Sequence, residues 1–184
     1  MTNKISSVLP TEGKWALLWP AALLVTALAG STLIACAMPL VAIATLGAAT
    51  MTRRSAILTL LLCWAINQVL GFTLHGYPHT LFTAGWGVAI GLGGVLALIV
   101  SQMILRPGQI GLRMVLTLAV GFIAYELTLF GFSKVTGWAC PFTVDVVAAV
   151  ATNEALWFVG LGLVYVGLGR ILPSQGAVTR QPSQ

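Results

Sequence analysis

Apolar residues fill this chain in long runs, broken at intervals by short clusters of Gly, Pro, Arg, His and Thr. Such runs show neither the strict alternation of a half-buried strand nor the single apolar stripe of a helix on a soluble core. They stay apolar on every side. About 20 residues of this kind are what an α-helix needs to cross the hydrocarbon of a bilayer. Six helices are predicted. The stretch from Trp15 to Thr50 is too long for one span and contains Pro39, so it divides into Trp15–Cys36 and a short or oblique Pro39–Met51. Ser55–Leu74 is the third, Leu81–Leu105 the fourth, Gly111–Phe132 the fifth and Val144–Leu172 the sixth. The connections Thr52–Arg54, His75–Thr80, Arg106–Gly111 and Ser133–Thr143 are too short to hold a soluble catalytic unit. The expected architecture is therefore all-α: a polytopic six-helix bundle over residues 15–172, with tails at 1–14 and 173–184.

Composition strengthens this picture. Of 184 residues, 58% are hydrophobic and 7% are charged, against about 25% charged in a soluble domain. So few charges cannot cover a water-exposed surface, and the partner implied is the lipid bilayer. The net charge of +5 raises the question of nucleic acid, but its distribution answers it. The basic residues stand singly or in pairs between apolar runs, as membrane proteins place them. No basic stripe with interleaved aromatics exists, which excludes a nucleic-acid partner.

Charge also orients the bundle. With both ends in the cytoplasm, Lys4, Lys14, Arg53, Arg54, Arg106, Arg113, Arg170 and Arg180 lie inside, and of the nine basic residues only Lys134 lies outside. The positive-inside rule therefore predicts both termini in the cytoplasm. Leu33-Ile34-Ala35-Cys36 resembles a lipoprotein cleavage site. The polar leader before it is long and apolar sequence continues past Cys36, so an uncleaved first span is expected.

Small residues are dense, with 20 glycines. Gly87 and Gly91, and likewise Ala44 and Ala48, have the spacing that lets helix backbones approach closely. Packing within the monomer is the expected use, and a docking face for a partner's helices the sharper one.

Polar and ionisable side chains inside a span are expensive and need a compensating role. Those here are Asn67 and Gln68 in the third helix, Glu126 in the fifth, and Asn153 and Glu154 in the sixth. From a rise of about 1.5 Å per residue, Gln68 and Glu126 lie roughly 9 Å below the outer surface and Glu154 roughly 15 Å. Three helices thus present amides and carboxyls to the outer half, as a pocket opening outward needs. Helix–helix hydrogen bonding is the plainer use of the two amides. Tyr77, Trp86 and Trp138, with Phe72, Phe82 and Phe142, gather near the same surface. Each alone reads as an interface anchor; together beside the amides they could line a site for a large amphipathic molecule. His75 and His79 share one outer loop and are expected to be solvated.

The three cysteines, Cys36, Cys63 and Cys140, show no CxxC or Cys/His metal spacing. Cys36 and Cys140 fall at the outer face, where a disulfide would form if their Cα atoms came within about 7 Å. Cys63 differs. It lies mid-span, one residue before Trp64 and one turn from Asn67, at the floor of the expected pocket. A buried Cys is usually a small hydrophobe, yet as thiolate it binds soft and transition metals. With no imidazole or second thiol at its depth, it suits a metal whose other positions are already filled.

The segment Leu62-Cys63-Trp64-Ala65-Ile66-Asn67-Gln68-Val69-Leu70-Gly71-Phe72, with Gly76-Tyr77-Pro78 and Trp86-Gly87-Val88-Ala89-Ile90-Gly91, resembles the BtuM family of small bacterial membrane proteins. These are regarded as cobalamin (vitamin B12) transporters, similar in fold to the substrate-binding S components of energy-coupling factor (ECF) transporters. The resemblance covers mainly the third and fourth spans, with overall length and topology. It implies cobalamin as substrate, an S-component-like bundle, and Cys63 as axial ligand to cobalt. Corrin supplies four equatorial nitrogens, so one thiolate from below is enough. Electron density from that thiolate would loosen the opposite axial group, giving Cys63 a catalytic part in its removal. Glu126, Asn153 and Glu154 are not implied by the resemblance and rest on depth alone. The alternatives are an S component for another vitamin, which would dock an energising module on early helices that include Ala44 and Ala48, an intramembrane enzyme, and an assembly factor without ligand. No Ser/His dyad favours the enzyme. No phosphate-binding loop occurs in the sequence, so any ATP hydrolysis belongs to a partner.

Overall fold

Where water is scarce, a backbone amide can be satisfied only inside its own segment, and the helix does this with every residue. The computed structural model describes residues 17–33, 38–106, 111–138 and 142–171. Over those residues the apolar runs form six helices, with no strand among them: α1 Leu18–Leu33, α2 Leu40–Thr50, α3 Arg53–Thr73, α4 Leu81–Ile104, α5 Leu112–Thr136 and α6 Val144–Ile171. Four of them, α3 to α6, are long and apolar enough to cross a membrane.

The breaks have local causes. Pro39, which has no N–H to donate, stands at the N-cap of α2. Thr52 caps α3 by accepting a hydrogen bond from the Ser55 amide at 3.3 Å, and Thr80 does the same for α4 through Thr83 at 3.2 Å. Each hydroxyl satisfies an amide that has no partner within its helix. At the far end of α5, Gly137 takes φ 70°, the left-handed conformation that closes helices and that side chains resist. This moves a predicted boundary. Ser133–Thr136 was expected in the loop on polarity, but the helix runs through them to the glycine.

The bundle is organised around α2. Only 11 residues long, it is buried over its whole length and packs against α3, α4, α5 and α6, while α1 lies on α3. Its length is about 16 Å, roughly half of the ~30 Å hydrocarbon core. Ala44 and Ala48 are 1% and 4% exposed; the monomer's own helices enclose both, so they offer no face to a partner. Trp19 of α1 reaches the C-terminal end of α2, where its indole N–H donates to Thr50 Oγ1 at 2.8 Å. Its ring meets Tyr165 of α6 edge-on at 5.0 Å.

Small residues set how closely the other helices approach. The α3 side chains Trp64 and Gln68 lie in two notches on α4. A Cβ on Gly91 would stand 2.7 Å from Trp64 Nε1, and one on Gly87 would overlap the Gln68 carboxamide. The predicted glycine pair therefore serves packing inside the monomer. Gly93 receives the Tyr125 ring of α5 in the same way.

The exterior is apolar. Val88, Leu92, Leu96, Ile99 and Met103 run along one exposed side of α4, a continuous patch that soluble monomers rarely show. Such a surface is compatible with multi-pass insertion into a bilayer.

Candidate functional site

Because α2 is short, its first turn lies in the middle of the bundle. Leu40 packs against Gly94 of α4, and Val41 against Gly121 of α5. By helical rise Gly94 is about 15 Å from the Arg106 end of its helix. The N–H groups of a helix's first turn lack intrahelical acceptors, and at this depth water does not supply them. Glu154 does. Its carboxylate accepts from the Ala42 amide at 2.7 Å and the Val41 amide at 3.3 Å. The side chain is 3% exposed, and its charge faces the positive end of the α2 dipole. A cap from 113 residues away thus joins α6 to α2.

Cys63 lies at the same level. Ten residues of α3 separate it from Arg53, about 15 Å of rise, which matches the length of α2 beside it. It is 0% exposed and belongs to the core that includes Leu40 and Leu60. Ala56, Leu60, Cys63, Asn67 and Gly71 recur every three or four residues, so they share one face of α3. The lower part of this face packs on α2, with Ala56 Cβ close against Gly47. Asn67 and Gly71 lie beyond the end of α2, toward the His75 loop. Thus Cys63, Glu154 and the first turn of α2 form one mid-bundle layer, with Asn67 one turn above.

The other expected site residues divide. Gln68 packs against α4 at Gly87, as just described. Next to it, Trp64 donates its indole N–H to the Gly87 carbonyl at 2.8 Å. Glu126 is partly buried on α5 and lies within Coulombic range of Glu154. Asn153, beside the capping carboxylate in sequence, is partly buried and interacts with its surroundings. Tyr77 lies on Gly71, where a Cβ would stand 2.7 Å from its ring, and it stacks with His75 at 6.0 Å.

Besides the Tyr77–His75 stack, aromatic side chains at the His75 end form one closed group and two further pairs. Phe82, Trp86, Phe132 and Trp138 make a circuit, with centroids 6.4 Å (Phe82–Trp86), 5.2 Å (Trp86–Phe132), 5.7 Å (Phe132–Trp138) and 5.2 Å (Phe82–Trp138). Phe72 stacks on His79 at 5.3 Å. Phe142 meets Phe130 instead, at 5.4 Å. Of the six aromatics expected to gather, three share the circuit; Phe132 joins them without having been anticipated.

Chemically, the layer offers one enclosed thiol with amide and carboxyl groups nearby. Among the described residues no three His, Cys, Asp or Glu side chains gather around a common point. Cys36 and Cys140, and any disulfide between them, lie outside the described residues. Comparison with models of known protein families, with curated proteins and with solved structures finds no match to this chain.

Proposed function

We propose that this chain is a six-span membrane protein of a bacterial inner membrane, with both termini in the cytoplasm, that binds and transports cobalamin. In this reading the His75 end faces outside and receives the substrate. Cys63 is the axial ligand to cobalt, and the protein acts alone or with an energising module. Asn67 contacts the corrin amides, and the Tyr77 and Trp86 region forms the rim. Glu154 acts from beneath, by fixing the α2 end that supports the layer. The observation that carries the proposal is a single thiol at mid-bundle depth, level with the first turn of α2 and below Asn67 on the same face. Its sequence context, from Leu62 to Phe72, is the segment that resembles the BtuM family.

Because Cys63 is sealed, ligation requires the outer halves of the helices to part. The thiol must lose its proton as it meets the metal. Electron donation through cobalt then weakens the bond to the opposite axial group. The test is optical. Cobalamin bound to wild-type protein should show the absorption of sulfur-ligated cobalt, and Cys63→Ser should lose it. Identical spectra for both variants would make Cys63 a core residue only.

A further inference from the structure

One turn along α2 from the Glu154 cap, three helices each bring a hydroxyl to the same level. A Cβ on Gly121 of α5 would stand 3.3 Å from Val41 Cγ1, 3.6 Å from Ser101 Oγ and 3.7 Å from the Ala97 carbonyl oxygen. α2 and α4 therefore both face α5 at Gly121. Thr45 lies one turn on from Val41, and Thr117 one turn back from Gly121; both steps lead toward the Arg106 end of the bundle. Thr45, Ser101 and Thr117 are each 0% exposed.

Two of these hydroxyls have nothing to bond. Thr45 Oγ1 and Ser101 Oγ are buried without a hydrogen-bond partner. Helical threonines commonly turn back onto the carbonyl four residues earlier, and here Thr50, Thr73, Thr117, Thr128, Thr136 and Thr152 all do so. Thr45 and Ser101 forgo that bond. A buried hydroxyl left unpartnered is destabilising, so two at one level point to a ligand that both of them reach.

The chemistry of the site selects that ligand. Neither α2 nor α4 contains an ionisable residue. On α5, Arg113 is exposed one turn before Thr117, and Glu126 lies more than one turn beyond Gly121. The site is therefore neutral. Each free hydroxyl can both donate and accept. Thr117 gives its proton to the Arg113 carbonyl at 2.7 Å, which leaves its oxygen as an acceptor. Gly121 has no side chain to fill the space beside Ser101. A small neutral molecule that donates and accepts satisfies such a set, and buried waters do so with about three hydrogen bonds each.

We propose that Thr45, Ser101 and Thr117 hold one water molecule at the junction of α2, α4 and α5. The water donates to Thr117 Oγ1 and exchanges hydrogen bonds with the other two hydroxyls, joining the short central helix to both neighbours. The site does not depend on the cobalamin reading, and its test contains no cobalamin.

The test is a double-mutant cycle on full-length protein in neutral detergent micelles, read as melting temperature. Thr45→Val and Ser101→Ala remove the hydroxyls with little change of shape. Each should lower the melting temperature by about 2–4 °C. The double variant should fall by clearly less than the two losses together, because the first substitution already releases the water. Ser101→Ala combined with Thr128→Val, whose hydroxyl bonds the Ala124 carbonyl further along α5, should give additive losses. An unchanged or raised melting temperature in either single variant overturns the proposal, since that is the effect of removing an unpartnered hydroxyl. Additive losses in the Thr45 and Ser101 pair overturn it too, as does a double variant that fails to fold while both singles fold. If Thr45→Val alone does not fold, Thr117→Val takes its place in the cycle, with the same non-additivity expected. The melts are repeated in sodium chloride and in choline chloride. A stabilisation specific to sodium that the variants lose overturns water in favour of a bound cation.

Discussion

A carboxylate in the middle of an apolar bundle is destabilising by several kcal/mol unless hydrogen-bond donors receive it. Glu154 is received by two amides that would themselves be orphaned, so each defect cancels the other. Glu154→Leu should remove this cancellation and destabilise the fold by about 2–4 kcal/mol. Glu154→Gln keeps one oxygen acceptor and should lose less than half of that. Denaturant unfolding in mixed micelles measures both, and a Leu variant that unfolds at the wild-type midpoint would show the cap to be dispensable. Cys63 carries a second expectation. In protein with Cys36→Ser and Cys140→Ser, a maleimide should label Cys63 only after unfolding, because the native side chain is 0% exposed. Rapid labelling of folded protein would mean that the layer is open at rest. The depth of both residues could be read from the sequence by counting along their helices. What Glu154 does there could not, because its partners lie more than a hundred residues away and are backbone amides, which carry no sequence signal.

At the scale of elements, contact between α3 and α4 depends on missing side chains. Gly91→Ala drives a Cβ into the rigid indole of Trp64 and strains its hydrogen bond to the Gly87 carbonyl. A loss of about 1–3 kcal/mol is expected for such overpacking. Gly87→Ala meets the end of the flexible Gln68 side chain, which can rotate away, so its loss should be smaller. Thermal unfolding in detergent ranks the two, and a larger loss at Gly87 would contradict the assignment. The existence of these helices was legible because long apolar runs leave the backbone no alternative. Pro39 likewise marked the start of α2 to within a residue. The end of α5 was not legible from polarity: Ser133 and Lys134 look like loop residues, yet a helix continues until the backbone forces it to stop, here at Gly137.

For the whole molecule, the apolar exterior and the charge asymmetry make separate statements. The first concerns what surrounds the bundle, the second which way it points. Reporter fusions in the His75–Thr80 loop should register outside, and fusions at either terminus inside. A loop reporting from the cytoplasm would remove both the orientation and an outward-facing site. The sequence could place polar groups by depth but not by angle around each helix. That is why Gln68 emerges as a packing residue against α4, while Asn67 lies on the face that runs through Cys63.

The cap on α2 also has a consequence for how the chain is assembled. Synthesis delivers α2 before α6, so the first turn of the central helix waits for its acceptor until α6 joins the bundle. Until then α2 is too short to span alone and has exposed amides at mid-depth, a state that cannot be the finished one. Closure of the bundle is therefore gated by α6. A chain ending at Thr143 should insert α3 to α5 yet remain sensitive to protease near α2. Co-expression of residues 142–184 as a separate piece should restore resistance, and the same piece with Glu154→Leu should not.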